Sequence, residues 1–220
     1  MATGSHRNDL RLSSVLTPLA IDVLPDLLPP RGFVAPDEIR AGGSPSHALS
    51  DSVATLVLRA VAEAMDGRHA TALAMLDEAS PLARGDAAAD LLVLLNRAQL
   101  LLEIGDLARG DDEAAMALRV ARREKREGWI ALASLGAALV HVARGRRAAA
   151  RARLGEAVRL FARTGAALRQ VQCHYLLGEI AYTGDDPIRA GAHYRDALAL
   201  ARPAGEQEWV ELLTLRFEHR

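Results

Sequence analysis

Cysteine is all but missing from this 220-residue chain. Cys173 stands alone, so no internal disulfide can form and no cysteine-based zinc site can be assembled. Lysine is equally scarce: Lys125 is the exception among 27 basic residues, a bias that points to a GC-rich coding sequence before any function. Aromatic residues make up 4% of the chain although half of it is hydrophobic, so alanine and leucine have to build the core. Little apolar alternation of β-branched residues occurs, which argues against a sheet. The uncharged run from Trp129 to Ala143 has 15 residues, short of the roughly 18 to 20 needed to span a bilayer. No basic-then-apolar leader opens the chain. A cytoplasmic protein without membrane contact is expected. No GxGxxG, Walker loop, GxSxG or HExxH is present, and no enzymatic activity, cofactor or catalytic residue is expected.

The residues that are abundant are unevenly distributed. Six of the nine prolines lie in residues 1–50, at positions 18, 25, 29, 30, 36 and 45. Repeated X-Pro pairs forbid a long regular helix there. Yet the segment 13–28 carries Val15, Leu16, Leu19, Ile21, Val23, Leu24, Leu27 and Leu28, which is too apolar for a freely solvated tail. The Pro-rich segment 1–50 is therefore expected to be partly ordered, either capping the first helices after residue 50 or occupying a groove on this chain or another. The net charge of −1 conceals regional nets of −1 for 1–50, −7 for 51–118, +10 for 119–170 and −3 for 171–220.

From Ser50 or Asp51, either of which can cap a helix, the chain reads as four amphipathic helical hairpins. Their helices are expected at 51–65 and 70–83, at 87–104 and 109–127, at 129–143 and 147–165, and through the stretch 171–200, which reads VQCHYLLGEIAYTGDDPIRAGAHYRDALAL. Turn glycines are expected to supply the positive φ that ends each helix. The second helices align on Ala79, Ala117, Ala157 and Ala197, at intervals of 38, 40 and 40 residues. Seven residues earlier stand Ala72, Gly110, Ala150 and Ala190, and three residues earlier Leu76, Ala114, Leu154 and Tyr194. A small position in the first helices falls on Ala60, Ala98, Ala138 and Gly178. This small–large–small pattern, with Leu177-Gly178 in the fourth copy, resembles tetratricopeptide repeats, although the family's usual period is about 34 residues. A period near 40 resembles the longer repeats of kinesin light chains and of sensor regions in large bacterial transcriptional regulators. The resemblance implies an all-α solenoid of antiparallel hairpins, wound as a right-handed superhelix, over residues 51–202. A capping helix is then expected within 203–220, bearing Trp209, Leu212, Leu213 and Phe217 on one face.

The resemblance also implies a groove lined by the first helices of the hairpins. Its positions here are Val57 and Val61, then Leu92, Leu95, Gln99 and Leu102, then Leu132, Leu135 and Leu139, and finally Tyr175, Glu179 and Tyr182. The groove is largely apolar with a polar, tyrosine-bearing end, and it lacks the Lys/Asn/Arg cluster with which chaperone adaptors grip a carboxylate. Such a surface suits an amphipathic helix or an extended apolar peptide. The expected function is a protein- or peptide-binding adaptor, in which Leu95→Asp or Leu135→Asp abolishes binding without unfolding. A second reading is an effector-binding sensory domain of a larger bacterial regulator. The basic third hairpin, with Arg119, Arg122, Arg123, Arg126, Arg144, Arg146, Arg147, Arg151 and Arg153, suits a solvated face, an acidic partner or self-association through unlike-charged ends. Nucleic acid is the weaker reading, because no aromatics interleave with these arginines. His174 and His193 fall on opposite helices of hairpin four. With Cys173 pointing about 100° away from its neighbour on the helix, no metal site is expected.

Overall fold

The computed structural model describes residues 34–41 and 51–218. Among these residues there are ten α-helices and no strand: α1 (Pro36–Ala41), α2 (Asp51–Met65), α3 (His69–Ala83), α4 (Ala87–Glu103), α5 (Leu107–Arg123), α6 (Glu127–Ala143), α7 (Arg147–Thr164), α8 (Ala167–Tyr182), α9 (Pro187–Ala204) and α10 (Gln207–Glu218). From α2 onward consecutive helices pack as antiparallel neighbours, most extensively within the pairs α2–α3, α4–α5, α6–α7 and α8–α9, which are the four hairpins, while α1 packs on α4 and α6. The apolar segment 13–28 and a cap at Ser50 lie outside the described residues. No helix among them is long and apolar enough to cross a membrane.

The repeat has a simpler unit than the hairpin. From Ala87 onward each helix starts 20 residues after the one before it, so turns inside and between hairpins are alike. A residue with positive φ recurs on the same spacing, at Gly85, Gly105, Lys125, Gly145, Gly165, Asp185 and Gly205. The residue after it can then cap the next helix. Asp86 accepts from the backbone N–H of Ala88 and Ala89 at 2.9 and 3.3 Å, Asp106 from Arg109 at 3.2 Å and Asp186 from Arg189 at 3.0 Å.

This spacing corrects several expected boundaries, among them the fourth hairpin, which runs Ala167–Ala204 and not 171–200. The turn between α5 and α6 sits at Lys125, with φ 55°, and not after residue 127, so Gly128 lies inside α6. In hairpin four the left-handed residue is Asp185, with φ 59°, and not Gly184. At both places helix length sets the turn, and a residue that tolerates the left-handed region only at a cost occupies it.

The repeat positions form the core. Leu76, Ala114, Leu154 and Tyr194 are no more than 1% exposed, and Ala79, Ala117, Ala157 and Ala197 are fully buried. Leu76 stands 16 positions after the small first-helix residue Ala60, Leu154 after Ala138 and Tyr194 after Gly178, and all six are buried. The largest side chain is matched with the smallest. A methyl group on Gly178 would lie 2.7 Å from Tyr194 Cδ1 and closer still to Cε1.

At the C-terminal end α10 buries Trp209, Leu212 and Leu213 against hairpin four. Trp209 meets Tyr175 edge-on at 5.5 Å between ring centroids, and Phe217 meets Tyr194 at 6.4 Å. A strip of hydrophobic surface that would otherwise end the stack in water is thereby covered, as solenoids require.

Candidate functional site

The first helices α4 and α6 lie side by side, close enough that Leu95 Cδ2 is 3.2 Å from where a Cβ on Gly136 would stand. On this surface sits the segment 34–41, drawn from the Pro-rich N-terminal region. Its own geometry is that of a capped helix start. Pro36 takes the first helical position, where a missing N–H costs nothing. Glu38 Oε1 reaches back to accept from the Ala35 N–H at 3.0 Å, the reach-back half of a capping box.

Three side chains of the repeat grip the segment. Asn96 of α4 is fully buried. Its Oδ1 accepts from the Val34 N–H at 2.9 Å, and its Nδ2 donates to the Val34 carbonyl at 2.9 Å and to the Leu92 carbonyl at 2.9 Å. The indole N–H of the buried Trp129, at the start of α6, donates to the Ile39 carbonyl at 2.9 Å. Arg169 of α8, 5% exposed at the side chain, closes a two-pronged ion pair on Glu38 through Nε and Nη2 and donates from Nη1 to Gln172 at 2.8 Å. Bidentate pairing of this kind fixes orientation as well as charge. Val34 and Ile39 are 5% and 1% exposed. The fit is close: a cavity of only about 10 Å³ remains between Val34 and its floor of Leu95, Ala98, Gln99, Leu102, Leu132 and Leu135. Beside Glu38 and Arg169 a further 130 Å³ stays open, bounded by Gly128, Leu132, Phe161 and Thr164.

The groove positions expected from the sequence divide into four groups. Leu95, Gln99, Leu102, Leu132 and Leu135 line the floor under Val34. Val57, Leu92 and Leu139 are buried in the core, and Val61 packs half-buried against it. Tyr175 and Glu179 are also buried, but α10 covers them. Arg216 Nη2 donates to the Tyr175 hydroxyl at 3.2 Å and to Glu179 Oε2 at 3.0 Å, and the Tyr194 hydroxyl donates to Glu179 Oε1. Burial and the neighbouring Glu179 charge push both phenols above the ordinary tyrosine range. Tyr182 is 49% exposed and stands apart. One expectation needs correcting. Leu95 and Leu135 are each 4% exposed and belong to the main core cluster, so an aspartate at either place would bury an unpaired carboxylate. Those substitutions test the fold as well as the groove.

The expected basic third hairpin is split between two hairpins, because Arg119, Arg122 and Arg123 lie on α5 of hairpin two. Much of the basic stretch 119–153 is committed to ion pairs. Arg122 and Arg153 pair with Glu156 at 3.2 and 3.0 Å, Arg144 and Arg146 with Asp111 at 3.5 and 2.8 Å, and Arg123 with Glu124 at 3.1 Å. Although burial raises the Glu156 pKa, hydrogen bonds from Ser134, Arg153 and Arg122 together bring it below the usual carboxylate range. Arg126 stacks over Trp129 at 5.1 Å, a cation–π contact. Arg119, Arg147 and Arg151 form no ion pair among the described residues. Arg147 and Arg151 instead border, with Asp186 and Arg189, a cavity of about 250 Å³.

Glu38, Asn96, Trp129 and Arg169, the residues that seat the segment, escaped the sequence reading. Asn96 carried a signal, as an asparagine set in the otherwise largely apolar run LLVLLNRAQLLL. Buried polar residues need partners, and here the partner is a backbone 62 residues away. Away from the groove, His174, His193 and Asp196 of hairpin four bring three metal-ligating atoms together. No protein-family model matches the chain, and no curated protein matches it.

Proposed function

We propose that this chain is a peptide-binding adaptor module of the tetratricopeptide-like kind, with no chemistry of its own. Its groove on α4, α6 and α8 takes a short helix bearing an apolar residue, an acidic residue four positions on and an apolar residue next to that. The seating of Val34, Glu38 and Ile39 by Asn96, Trp129 and Arg169 carries this reading. The groove reads backbone at two points, one charge and two apolar side chains, which is the economy of helix-in-groove recognition.

The tethered segment sets a threshold for any partner. Joined to α2 through residues 42–50 alone, it competes at an effective concentration on the order of millimolar. A partner must therefore bind more tightly than the segment does, or meet a chain in which the segment has been released.

The test uses two baits in the source lysate, the unmodified chain and the double variant Glu38→Ala/Ile39→Asp. Support is a protein retained by the double variant and eluted by a free peptide of residues 33–42. Retention that is equal on both baits and indifferent to the peptide contradicts the reading. A second reading, effector sensing within a larger regulator, draws on the 250 Å³ cavity beside Arg147, Arg151 and Arg189, whose charge suits a small anion.

A further inference from the structure

We propose that His174, His193 and Asp196 form a binding site for one divalent transition-metal ion, with zinc the ion their chemistry fits best. His193 and Asp196 stand three residues apart on α9 and so share a face, while His174 crosses to them from α8. The two imidazole rings lie 5.8 Å apart between centroids, and His174 Nδ1 is 3.6 Å from Asp196 Oδ2. One ligating atom from each of the three residues falls within 4.8 Å of the other two. Zinc bonds of about 2.0–2.1 Å at tetrahedral angles place neighbouring ligand atoms about 3.3 Å apart. Small side-chain rotations therefore close the site, and the Asp196 side chain, 58% exposed, has room to make them.

Two features set this cluster apart from ordinary packing. The Nδ1 atoms of His174 and His193 are both buried and have no hydrogen-bond partner among the described residues, a costly arrangement that a shared cation would relieve. Burial also holds both imidazoles below the ordinary histidine range, more strongly than the Asp196 charge raises them. Each then presents a neutral lone pair at neutral pH, the form that binds metal. The neighbouring Cys173 is excluded from the ligand set, since it is fully buried and its thiol is pushed up to about 12. Two imidazoles and one carboxylate favour zinc and its first-row neighbours over magnesium or calcium. Three protein ligands leave one position for water or for a group supplied from outside.

The experiment takes the full chain, stripped with chelator, and titrates it with Zn²⁺ by calorimetry while following the imidazole resonances by NMR. The expected result is one ion per chain at this site, with the His174 and His193 signals shifting together and those of His141 unmoved. His193→Gln and Asp196→Asn should each weaken that binding by at least about tenfold, and His141→Gln should not. Because Asp196 is largely exposed, its variant keeps the fold. Binding that leaves the His174 and His193 signals in place, or that survives both variants unchanged, overturns the proposal, as does the absence of any binding by the unmodified chain.

Discussion

Gly178→Ala should destabilise this protein even though it improves an α-helix. In an exposed helix interior the substitution gains about 1 kcal/mol. At this position the new methyl group would lie 2.7 and 2.9 Å from Tyr194 Cδ1 and Cζ, well inside contact distance. The ring has nowhere to retreat, because it is 1% exposed and its hydroxyl is held by Glu179. Overpacking of this kind costs about 1–3 kcal/mol, and the fixed ring puts the cost near the upper end. The net loss is then about 1–2 kcal/mol, or a fall in Tm of roughly 2–8 °C at this chain length. The informative step is to repeat the change in a Tyr194→Leu background. Hairpins one and three already carry a buried alanine and a buried leucine at the two equivalent positions, Ala60 and Leu76, Ala138 and Leu154. With the ring gone, Gly178→Ala should become stabilising by about 1 kcal/mol. That reversal amounts to a coupling energy of about 2–3 kcal/mol. Urea denaturation reads it directly, as opposite shifts in midpoint at constant slope. Equal destabilisation by Gly178→Ala in both backgrounds would refute the size matching.

Three further outcomes are expected of the same structure. Asn96→Leu leaves the Val34 N–H and carbonyl without partners at about 1–3 kcal/mol each, so amide exchange across residues 35–41 should quicken at least about tenfold while the remaining helices stay protected. Lys125→Gly relieves a left-handed residue with φ 55° and should raise stability by up to about 1 kcal/mol, whereas Gly105→Ala at the matching turn should lower it in thermal melts. His141, His174 and His193 all have folded-state pKa values lowered from 6.5, chiefly by burial. On acidification the unfolded chain takes up their protons first. Stability should therefore fall as pH drops below about 6.5, and His141→Gln should show a smaller loss of Tm between about pH 7.5 and about pH 5.5 than the unmodified chain.

Much of the fold was legible in the sequence, because a helical stack writes its contacts into local spacing. The positions aligned at Leu76, Ala114, Leu154 and Tyr194, each three residues before an alanine, are all core. The expected helices fell within two residues of the observed ones around Gly67, Gly85, Gly105 and Gly145. The fourth hairpin, expected over 171–200, runs instead from Ala167 after Gly165 to Ala204 before Gly205. Boundaries also slipped at Lys125 and Asp185, where the 20-residue spacing overrides residue preference. A glycine is a strong local signal, but the length of the packed helix decides where the turn falls. The site was less legible. The resemblance picked out the floor at Leu95, Gln99, Leu102, Leu132 and Leu135, because floor positions repeat. The contacts at Asn96, Trp129 and Arg169 do not repeat. They join residues 62, 90 and 131 positions apart, and no periodicity within one helix foretells which distant strip of backbone will come to rest there.

The central claim is that the surface held by residues 34–41 is a peptide-accepting groove. The most direct test follows the Trp129 indole N–H by NMR in the Glu38→Ala/Ile39→Asp variant, carrying Trp209→Phe so that a single indole is observed. With the segment released, this resonance should move from its position in the corresponding chain with residues 34–41 intact, and its exchange with solvent should quicken. Addition of a free peptide of residues 33–42 should restore both the shift and the protection. An indole signal that never moves on release, or that moves and does not return at saturating peptide, would contradict the claim.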